Sequence, residues 1–292
     1  MLGGVLTAIV TPFREDGTID FDAFQRLAGH LVDNGSDGIV VAGTTGESPT
    51  LDDAERLALV SAALEAVGER ATVVAGTGTA STAHSVELTA RAHELGADGF
   101  LIVAPYYNKP PQRGIVAHFE AVARATDRPI VVYNIPSRVV VNIEPETITR
   151  LAEIPRIAAV KQALADPEQA RHIVSCGLDL YAGDDNILLP MLELGAVGGI
   201  CVHTHIVGPQ VAAQVRAAAE GDFGQARAID DELAAAYELL TVVTNPIAIK
   251  AALNVLGHEV GGHRLPLVPP SPEELARIRS CLSRLGLLVA VS

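Results

Sequence analysis

Lys161 ends an apolar run and is the side chain of this sequence best placed for chemistry. The run before it, IPRIAAV, has the composition of a core strand, and the residues after it are typical of a loop and a new helix. An unpaired ammonium group is costly to bury, so such a lysine must reach either water or a functional site. Because α/β proteins place chemistry at the carboxyl ends of parallel strands, we predict a nucleophilic amine that forms a Schiff base, in preference to a surface lysine.

Two further features supply groups that a Schiff-base reaction needs. Tyr133 ends the preceding predicted strand, in VVYN, where its phenol can exchange protons with the amine through other hydroxyls. A core tyrosine bonded to the backbone is the alternative. The GTTGE turn offers the hydroxyls of Thr44 and Thr45 and free backbone N–H groups, which suit a carboxylate. The alternative is a plain glycine turn, and the turn lacks the spacing and the lysine of a P-loop.

Three more polar positions follow predicted strands. Arg138, in NIPSR, offers a planar guanidinium group suited to a second carboxylate. Gly183 precedes Asp184 in AGDD. Tyr106 and Tyr107 are adjacent and cannot both face the same way, so we expect one to serve the site and the other to pack or to cross to another subunit.

A regular alternation of predicted strands and helices determines where these polar groups lie in the fold. The predicted strands are continuous apolar runs, as expected of buried parallel strands, at 5–10, within 36–49, and at 71–75, 99–104, 129–134, 157–161, 178–182 and 198–202. Helices are predicted at 21–34, 53–67, 81–95, 112–125, 145–152, 167–176, 186–194 and 209–219, the first capped by Asp20. Eight such units predict a (β/α)8 TIM barrel with all the polar groups at one mouth.

The pattern changes near residue 223. From there to the end it is helical only, apart from a connection rich in glycine and proline. We therefore predict a barrel over residues 1–222 that carries the active site, followed by a C-terminal helical domain over 223–292.

The amino-acid composition argues against several classes of binding partner. The formal net charge of −14, without a basic cluster, argues against nucleic acid and anionic membranes. The start lacks a basic segment and a cleavage site, so we interpret it as a first core strand rather than a signal peptide. The uncharged stretch 194–215 contains glycines, a proline and two histidines, which favours a buried strand and helix over a membrane span. Three widely spaced cysteines indicate a reducing compartment, the cytoplasm.

No metal is expected. His203 and His205 flank the last predicted strand end, and His258 and His263 lie in the late connection, but neither pair has a convincing partner set. We interpret Cys201 as buried packing.

Together these motifs resemble the dihydrodipicolinate synthase and N-acetylneuraminate lyase superfamily of pyruvate-dependent class I aldolases. The resemblance covers essentially the whole chain, through LTAIVTPF, GTTGES, AGTGT, PYYNKP, YNIPSR, VK, AGDD and RLPLVPPSPEE. It implies a TIM barrel without a cofactor, in which pyruvate forms a covalent imine, and a homotetramer built as a dimer of dimers.

The resemblance also implies roles for individual residues. Lys161 would form the imine and Thr44 with Thr45 would hold the pyruvate carboxylate. Tyr133, Thr45 and Tyr107 would relay protons, with Tyr107 reaching across a tight dimer interface. Substrate-binding positions would also include Gly183, and Ile200 would pack near the site.

Arg138 and the double threonine resemble the synthase branch, in which the arginine binds the carboxylate of aspartate semialdehyde. The segment KQALAD departs from that branch: Gln162 is closer to the lyases, and Leu164 and Ala165 also differ from the synthase pattern. Lysine-inhibited synthases typically carry asparagine and glutamate where this chain has Ala80 and His84, which predicts weak or absent feedback by lysine.

We therefore expect condensation of pyruvate with L-aspartate 4-semialdehyde in lysine (diaminopimelate) biosynthesis. The first alternative is a related pyruvate aldolase or lyase acting on a 2-keto-3-deoxy sugar acid or N-acetylneuraminate. The second is a catalytically inactive barrel that binds small acids.

Overall fold

A closed barrel of eight parallel strands forms the centre of the computed structural model, which describes residues 2–288. Each strand pairs with its neighbours in chain order, and the first pairs with the last. The strands are β1 (Val5–Ala8), β2 (Gly38–Val41), β3 (Thr72–Gly76), β4 (Gly99–Val103), β5 (Ile130–Asn134), β6 (Ile157–Gln162), β7 (Asp179–Ala182) and β8 (Gly198–Cys201). The predicted TIM barrel is thereby confirmed.

Helices surround the barrel, one or more after each strand. They are α1 (Phe21–Asp33), α2 (Asp53–Val67), α3 (Thr82–Glu94), α4 (Gln112–Ala123), α5 (Pro136–Val139), α6 (Pro145–Ala152), α7 (Pro167–Ser175), α8 (Leu188–Glu193) and α9 (Thr204–Ala219). Asp20 caps α1 as predicted, since its carboxylate accepts a hydrogen bond from the N–H of Ala23 at 3.0 Å. The apolar faces of the helices cover the outside of the strands and close the core.

One helix begins earlier than predicted, and one short helix was missed. We expected the helix after β8 to begin at residue 209, but α9 begins at Thr204 and is kinked at Val207, where φ is −133° and ψ is 33°. Pro209 lies just after the kink, so the proline marks a restart of the helix rather than its first turn. The short helix α5, which follows β5, was not predicted.

The C-terminal segment adds α10 (Phe223–Glu232), α11 (Ala234–Thr241), α12 (Ile247–Val255) and α13 (Pro272–Arg284). The pair α11 and α12 packs on α13, and α12 also contacts α9. Whether these helices form a separate domain from residue 223 stays a prediction. Across residues 2–288, no helix combines the length and the apolar character needed to cross a membrane.

Candidate active site

A cavity of about 290 Å³ opens at the carboxyl ends of the strands. Six of the eight predicted site residues line it: Thr44, Thr45, Tyr133, Arg138, Lys161 and Gly183. They come from four separate strand ends, which the closed barrel brings together. The structure thus brings six of the predicted residues to one mouth, and their roles stay predictions.

Lys161 lies in the barrel wall beside Tyr133. The two residues are register partners on β6 and β5, and Nζ of Lys161 lies 4.3 Å from the centroid of the Tyr133 ring. Each of the two residues is 5% exposed. Among the described residues, no atom forms a hydrogen bond or ion pair with Nζ, so the amine is available to a bound molecule.

The other two lysines of the sequence are unsuited to this role. Lys109 is exposed, on a loop that does not line the cavity. Lys250 is fully buried but its ammonium group is bound by Glu47, with Nζ and Oε1 2.9 Å apart. Lys161 alone among the three therefore combines burial, an unpaired amine and contact with the cavity.

The turn after β2 carries the two threonines. Thr45 is buried, and its Oγ1 accepts a hydrogen bond from Nδ2 of Asn245 at 2.9 Å. The hydroxyl of Thr11 donates to the carbonyl of Gly46 at 2.7 Å, which fixes the turn from the side of β1. The turn is thus held from both ends of the sequence, and the hydroxyl proton of Thr45 stays free to be donated.

A buried ion pair fixes the end of the same turn. Glu47 adopts a left-handed backbone conformation with φ of 57°, and its carboxylate accepts hydrogen bonds from Nζ of Lys250 and, at 3.2 Å, from the N–H of Arg264. Lys250 also donates to the carbonyl of Thr11 at 2.9 Å and to that of Gly262. Burial lowers the pKa of Lys250, although Glu47 acts in the opposite direction. The C-terminal segment therefore supports the geometry of the GTTGE turn.

The segment after β7 forms another wall. The N–H of Gly183 donates to the carbonyl of Gln162 at 2.8 Å, and a Cβ at this position would lie 2.7 Å from the nitrogen of Ala163. Only glycine therefore fits. Burial and the neighbouring carboxylate of Asp185 raise the pKa of Asp184, while Lys161 and Arg138 act in the opposite direction.

Asp185 lines the cavity and contacts the strand end after β8. Its Oδ1 accepts hydrogen bonds from the N–H groups of Val202 and His203, each at 2.7 Å. Nδ1 of His203 lies 2.5 Å from the same oxygen, although not in the direction that a hydrogen bond requires. Burial alone would raise the pKa of Asp185, but His203 and the two N–H groups hold it at about 2.

Arg138 lies on α5 at the rim, where the side chain is exposed. It lines the cavity, and no hydrogen bond from the described part of the chain engages its guanidinium group. The planar group is therefore free to bind an anion that enters the mouth.

Two of the predicted site residues do not line the cavity. Tyr107 has a φ of 73° and is 93% exposed, which places it in solvent in the single chain. Ile200 is fully buried in β8, opposite Leu6 of β1, within the barrel wall. The expected role of Tyr107 depends on a second subunit and stays a prediction, as does that of Ile200.

Gln162 does not line the cavity either. Its Oε1 accepts a hydrogen bond from Nδ2 of Asn134 at 3.0 Å, in a buried network that continues to Asn142. The departure from the synthase pattern at this position therefore lies behind the wall of the cavity. Leu164 and Ala165 are also absent from its described lining.

The sequence reasoning missed the contribution of the C-terminal segment. Four lining residues come from beyond residue 222, namely Tyr237, Leu240, Thr241 and Asn245. They lie on α11 or in the loop after it, and no strand-end rule points to them. The TNP sequence around Asn245 was the available signal, because a polar residue before a proline is typical of a fixed turn.

Comparisons of sequence and structure show which known enzymes this chain resembles. The model of the Dihydrodipicolinate synthetase family matches residues 1–285. The 4-hydroxy-tetrahydrodipicolinate synthase of Moorella thermoacetica is 48% identical, over 98% of this chain and 99% of that protein. The lysine-bound structure of the enzyme from Cyanidioschyzon merolae superposes with a TM-score of 0.96 at 42% identity, covering 98% of this chain and 99% of the other. The chloride-inhibited dihydrodipicolinate synthase of Acinetobacter baumannii, complexed with pyruvate, gives a TM-score of 0.96 at 34% identity, covering 99% and 100%.

Proposed function

This chain belongs to the dihydrodipicolinate synthetase family, and we propose that Lys161 is the residue that performs the family's Schiff-base chemistry. The chain is a lyase that carries out the 4-hydroxy-tetrahydrodipicolinate synthase reaction of lysine biosynthesis, which uses a Schiff-base lysine and no cofactor. The observation that carries the assignment is the buried, unpaired amine of Lys161 beside the Tyr133 ring. Such an amine can be desolvated and held against a carbonyl carbon.

Pyruvate is the first substrate in this proposal. Its carboxylate is bound by the hydroxyls and backbone N–H groups of Thr44 and Thr45, which lie on the wall of the same cavity as Lys161. The neutral amine adds to the carbonyl carbon to give a carbinolamine, and loss of water then gives the imine. Tyr133 and Thr45 transfer the protons that these two steps require.

The second substrate is L-aspartate 4-semialdehyde. Loss of a methyl proton converts the imine into an enamine, whose carbon attacks the aldehyde carbon. The amino group of the semialdehyde then attacks the imine carbon, and ring closure releases the amine of Lys161. Arg138, exposed at the rim with an unpaired guanidinium group, binds the carboxylate of the semialdehyde. The carboxylates of both substrates are thus held by local groups in a chain of net charge −14.

The active enzyme is proposed to be a homotetramer in which Tyr107 completes the proton relay of a neighbouring subunit. The support is the exposure of apolar groups near the mouth: Tyr107 is 93% and Val140 is 64% exposed in the single chain. A sedimentation experiment that gave a fully active monomer would contradict this assignment.

The three free cysteines agree with a reducing compartment, the cytoplasm.

A coupled assay tests the proposal. Purified protein is supplied with pyruvate and either aspartate semialdehyde or the aldehyde of a sugar acid. We expect turnover with the semialdehyde, a loss of at least about 10³-fold in kcat for Lys161→Ala, and retained activity for the control Lys109→Ala. Full activity of Lys161→Ala would refute the role of this lysine, and faster use of the sugar-acid aldehyde would refute the proposed second substrate.

A further inference from the structure

Three potential metal ligands meet beside the active-site cavity. The carboxylate of Asp185, the thiol of Cys201 and the imidazole of His203 each offer one ligand atom, and these atoms lie within 4.8 Å of one another. A set of one oxygen, one sulfur and one nitrogen is typical of zinc and related divalent ions, whereas calcium and magnesium prefer sites made of oxygen ligands alone. The chain positions of these residues, on the segments after β7 and at the end of β8, did not reveal this proximity.

The imidazole of His203 is an independent indication of a ligand. The residue is fully buried, and although Nδ1 lies 2.5 Å from Oδ1 of Asp185, Nε2 has no hydrogen-bond partner within residues 2–288. A buried polar group without a partner is costly, and most such groups in proteins are satisfied. The ring packs against Tyr237, with centroids 5.6 Å apart, so it is held next to the thiol and the carboxylate.

The carboxylate of Asp185 is held in place and accessible. Its Oδ1 is fixed by the N–H groups of Val202 and His203, whereas Oδ2 accepts no hydrogen bond from the described residues. Because Asp185 lines the cavity, an ion can reach the cluster from the mouth of the barrel. Fixed ligands with an entry path are what a metal site requires.

We propose that Asp185, Cys201 and His203 bind a divalent ion of the zinc class and that this ion inhibits the enzyme. Ligand atoms on one tetrahedral zinc ion lie about 3.3–3.5 Å apart, from the usual bond lengths, so side-chain rotations that shift these atoms by about 1 Å complete the site. The thiol of Cys201 loses its proton to solvent as the sulfur–metal bond forms. The fourth position faces the cavity and takes water.

Inhibition follows from the position of the ion. Asp185 and Lys161 line the same cavity, so the ion places positive charge close to the amine and withdraws the Asp185 carboxylate charge from it. Both effects oppose the positively charged iminium form that the reaction passes through. The ion therefore acts as an inhibitor of the reaction and not as a cofactor.

Cobalt titration of the metal-free protein tests the site without any need for turnover. We expect one equivalent of Co²⁺ to produce a thiolate-to-metal charge-transfer band in the near ultraviolet, with at least tenfold weaker binding and no band in Cys201→Ser and Cys201→Ala. His203→Ala should also weaken binding at least tenfold. The matched control is Cys176→Ser, which removes the other cysteine next to a histidine, with Sγ 3.5 Å from Nε2 of His172.

The outcomes separate the alternatives. Absence of stoichiometric cobalt binding, or a band lost in Cys176→Ser and retained in both Cys201 variants, would overturn the site. Circular dichroism of each variant checks folding. In the coupled assay we expect Zn²⁺ to inhibit the wild type reversibly, with relief by a chelator, and to inhibit Cys201→Ser at least tenfold less. Cobalt binding without any inhibition by Zn²⁺ would overturn the inhibitory role.

Discussion

Nδ2 of Asn245 donates a hydrogen bond to Oγ1 of Thr45 at 2.9 Å, between residues 200 positions apart in the sequence. Thr45 belongs to the turn after β2, whereas Asn245 lies between α11 and α12. The contact occupies a lone pair of the threonine hydroxyl, so that its proton is donated in another direction. A residue outside the strand-helix repeats therefore sets the donor direction of a group in the proposed proton relay.

Replacing Asn245 tests this orientation. We expect Asn245→Ala to lower kcat about tenfold, the equivalent of about 1.4 kcal/mol, with a smaller change in KM, because proton transfer depends on the hydroxyl direction more than pyruvate binding does. Thr45→Val should lower kcat further, and adding Asn245→Ala to it should have little additional effect. Fully additive losses in the double variant would show that the two residues act independently.

We expect the buried ion pair of Glu47 and Lys250 to contribute strongly to stability, because it joins the C-terminal segment to the barrel. Both side chains are completely buried, so removing one partner leaves a charge without compensation. We expect Glu47→Gln and Lys250→Met each to lower the free energy of unfolding by about 3–5 kcal/mol, measured by urea denaturation. The double variant should lose less than the sum of the two. Single variants as stable as the wild type would contradict this role.

We expect the buried His118 to make the free energy of unfolding decrease as the pH becomes mildly acidic. Burial lowers its pKa from 6.5 to about 4, and the side chain is 2% exposed. Between these values the unfolded chain binds a proton that the folded chain does not, so the stabilisation is complete above pH 6.5 and is lost as the pH falls toward 4. The contribution is about 3 kcal/mol.

The measurement is the free energy of urea unfolding between pH 4 and 7 for the wild type and His118→Leu. We expect the variant to show a shallower dependence on pH. His205 and His263, whose pKa values burial also lowers to about 4, contribute to the remaining slope. An identical slope in the two proteins would show that folding does not lower the pKa of His118.

Feedback by lysine is expected to be weak or absent. Nε2 of His84 lies 2.9 Å from both carboxylate oxygens of Asp53, so the position that is glutamate in lysine-inhibited synthases presents an imidazole engaged with that carboxylate. Ala80 offers no polar group for the lysine carboxylate. Initial rates with L-lysine up to several millimolar should stay close to the uninhibited rate. Dose-dependent inhibition at sub-millimolar lysine would refute the prediction.

The barrel and much of the site were predictable because their signals are local. A buried parallel strand is a continuous apolar run, and the residue after it must lie at the mouth, which located Lys161, Tyr133 and the GTTGE turn. The same reasoning placed Arg138 and Gly183 correctly. These predictions needed no knowledge of tertiary contacts.

The remaining features depend on contacts between distant parts of the chain. The carboxylate that binds Lys250 and the hydroxyl that binds Asn245 belong to a segment about 200 residues away, so their proximity appears only once the chain is folded. Likewise, the close approach of Gly208, next to the kink in α9, to the chain at Asn34 appears only in the folded protein, where a Cβ at Gly208 would lie 2.3 Å from the carbonyl oxygen of Asn34. Tertiary packing, not local propensity, decides such details.

Reductive trapping of the imine tests the central role of Lys161 most directly. The protein is incubated with pyruvate, reduced with borohydride and digested, and its three lysines are separated on different peptides by mass spectrometry. We predict that the mass of one reduced pyruvate adduct appears on the Lys161 peptide alone and is absent without pyruvate. Adduct on the peptide of Lys109 or Lys250, with the Lys161 peptide unmodified, would contradict the account.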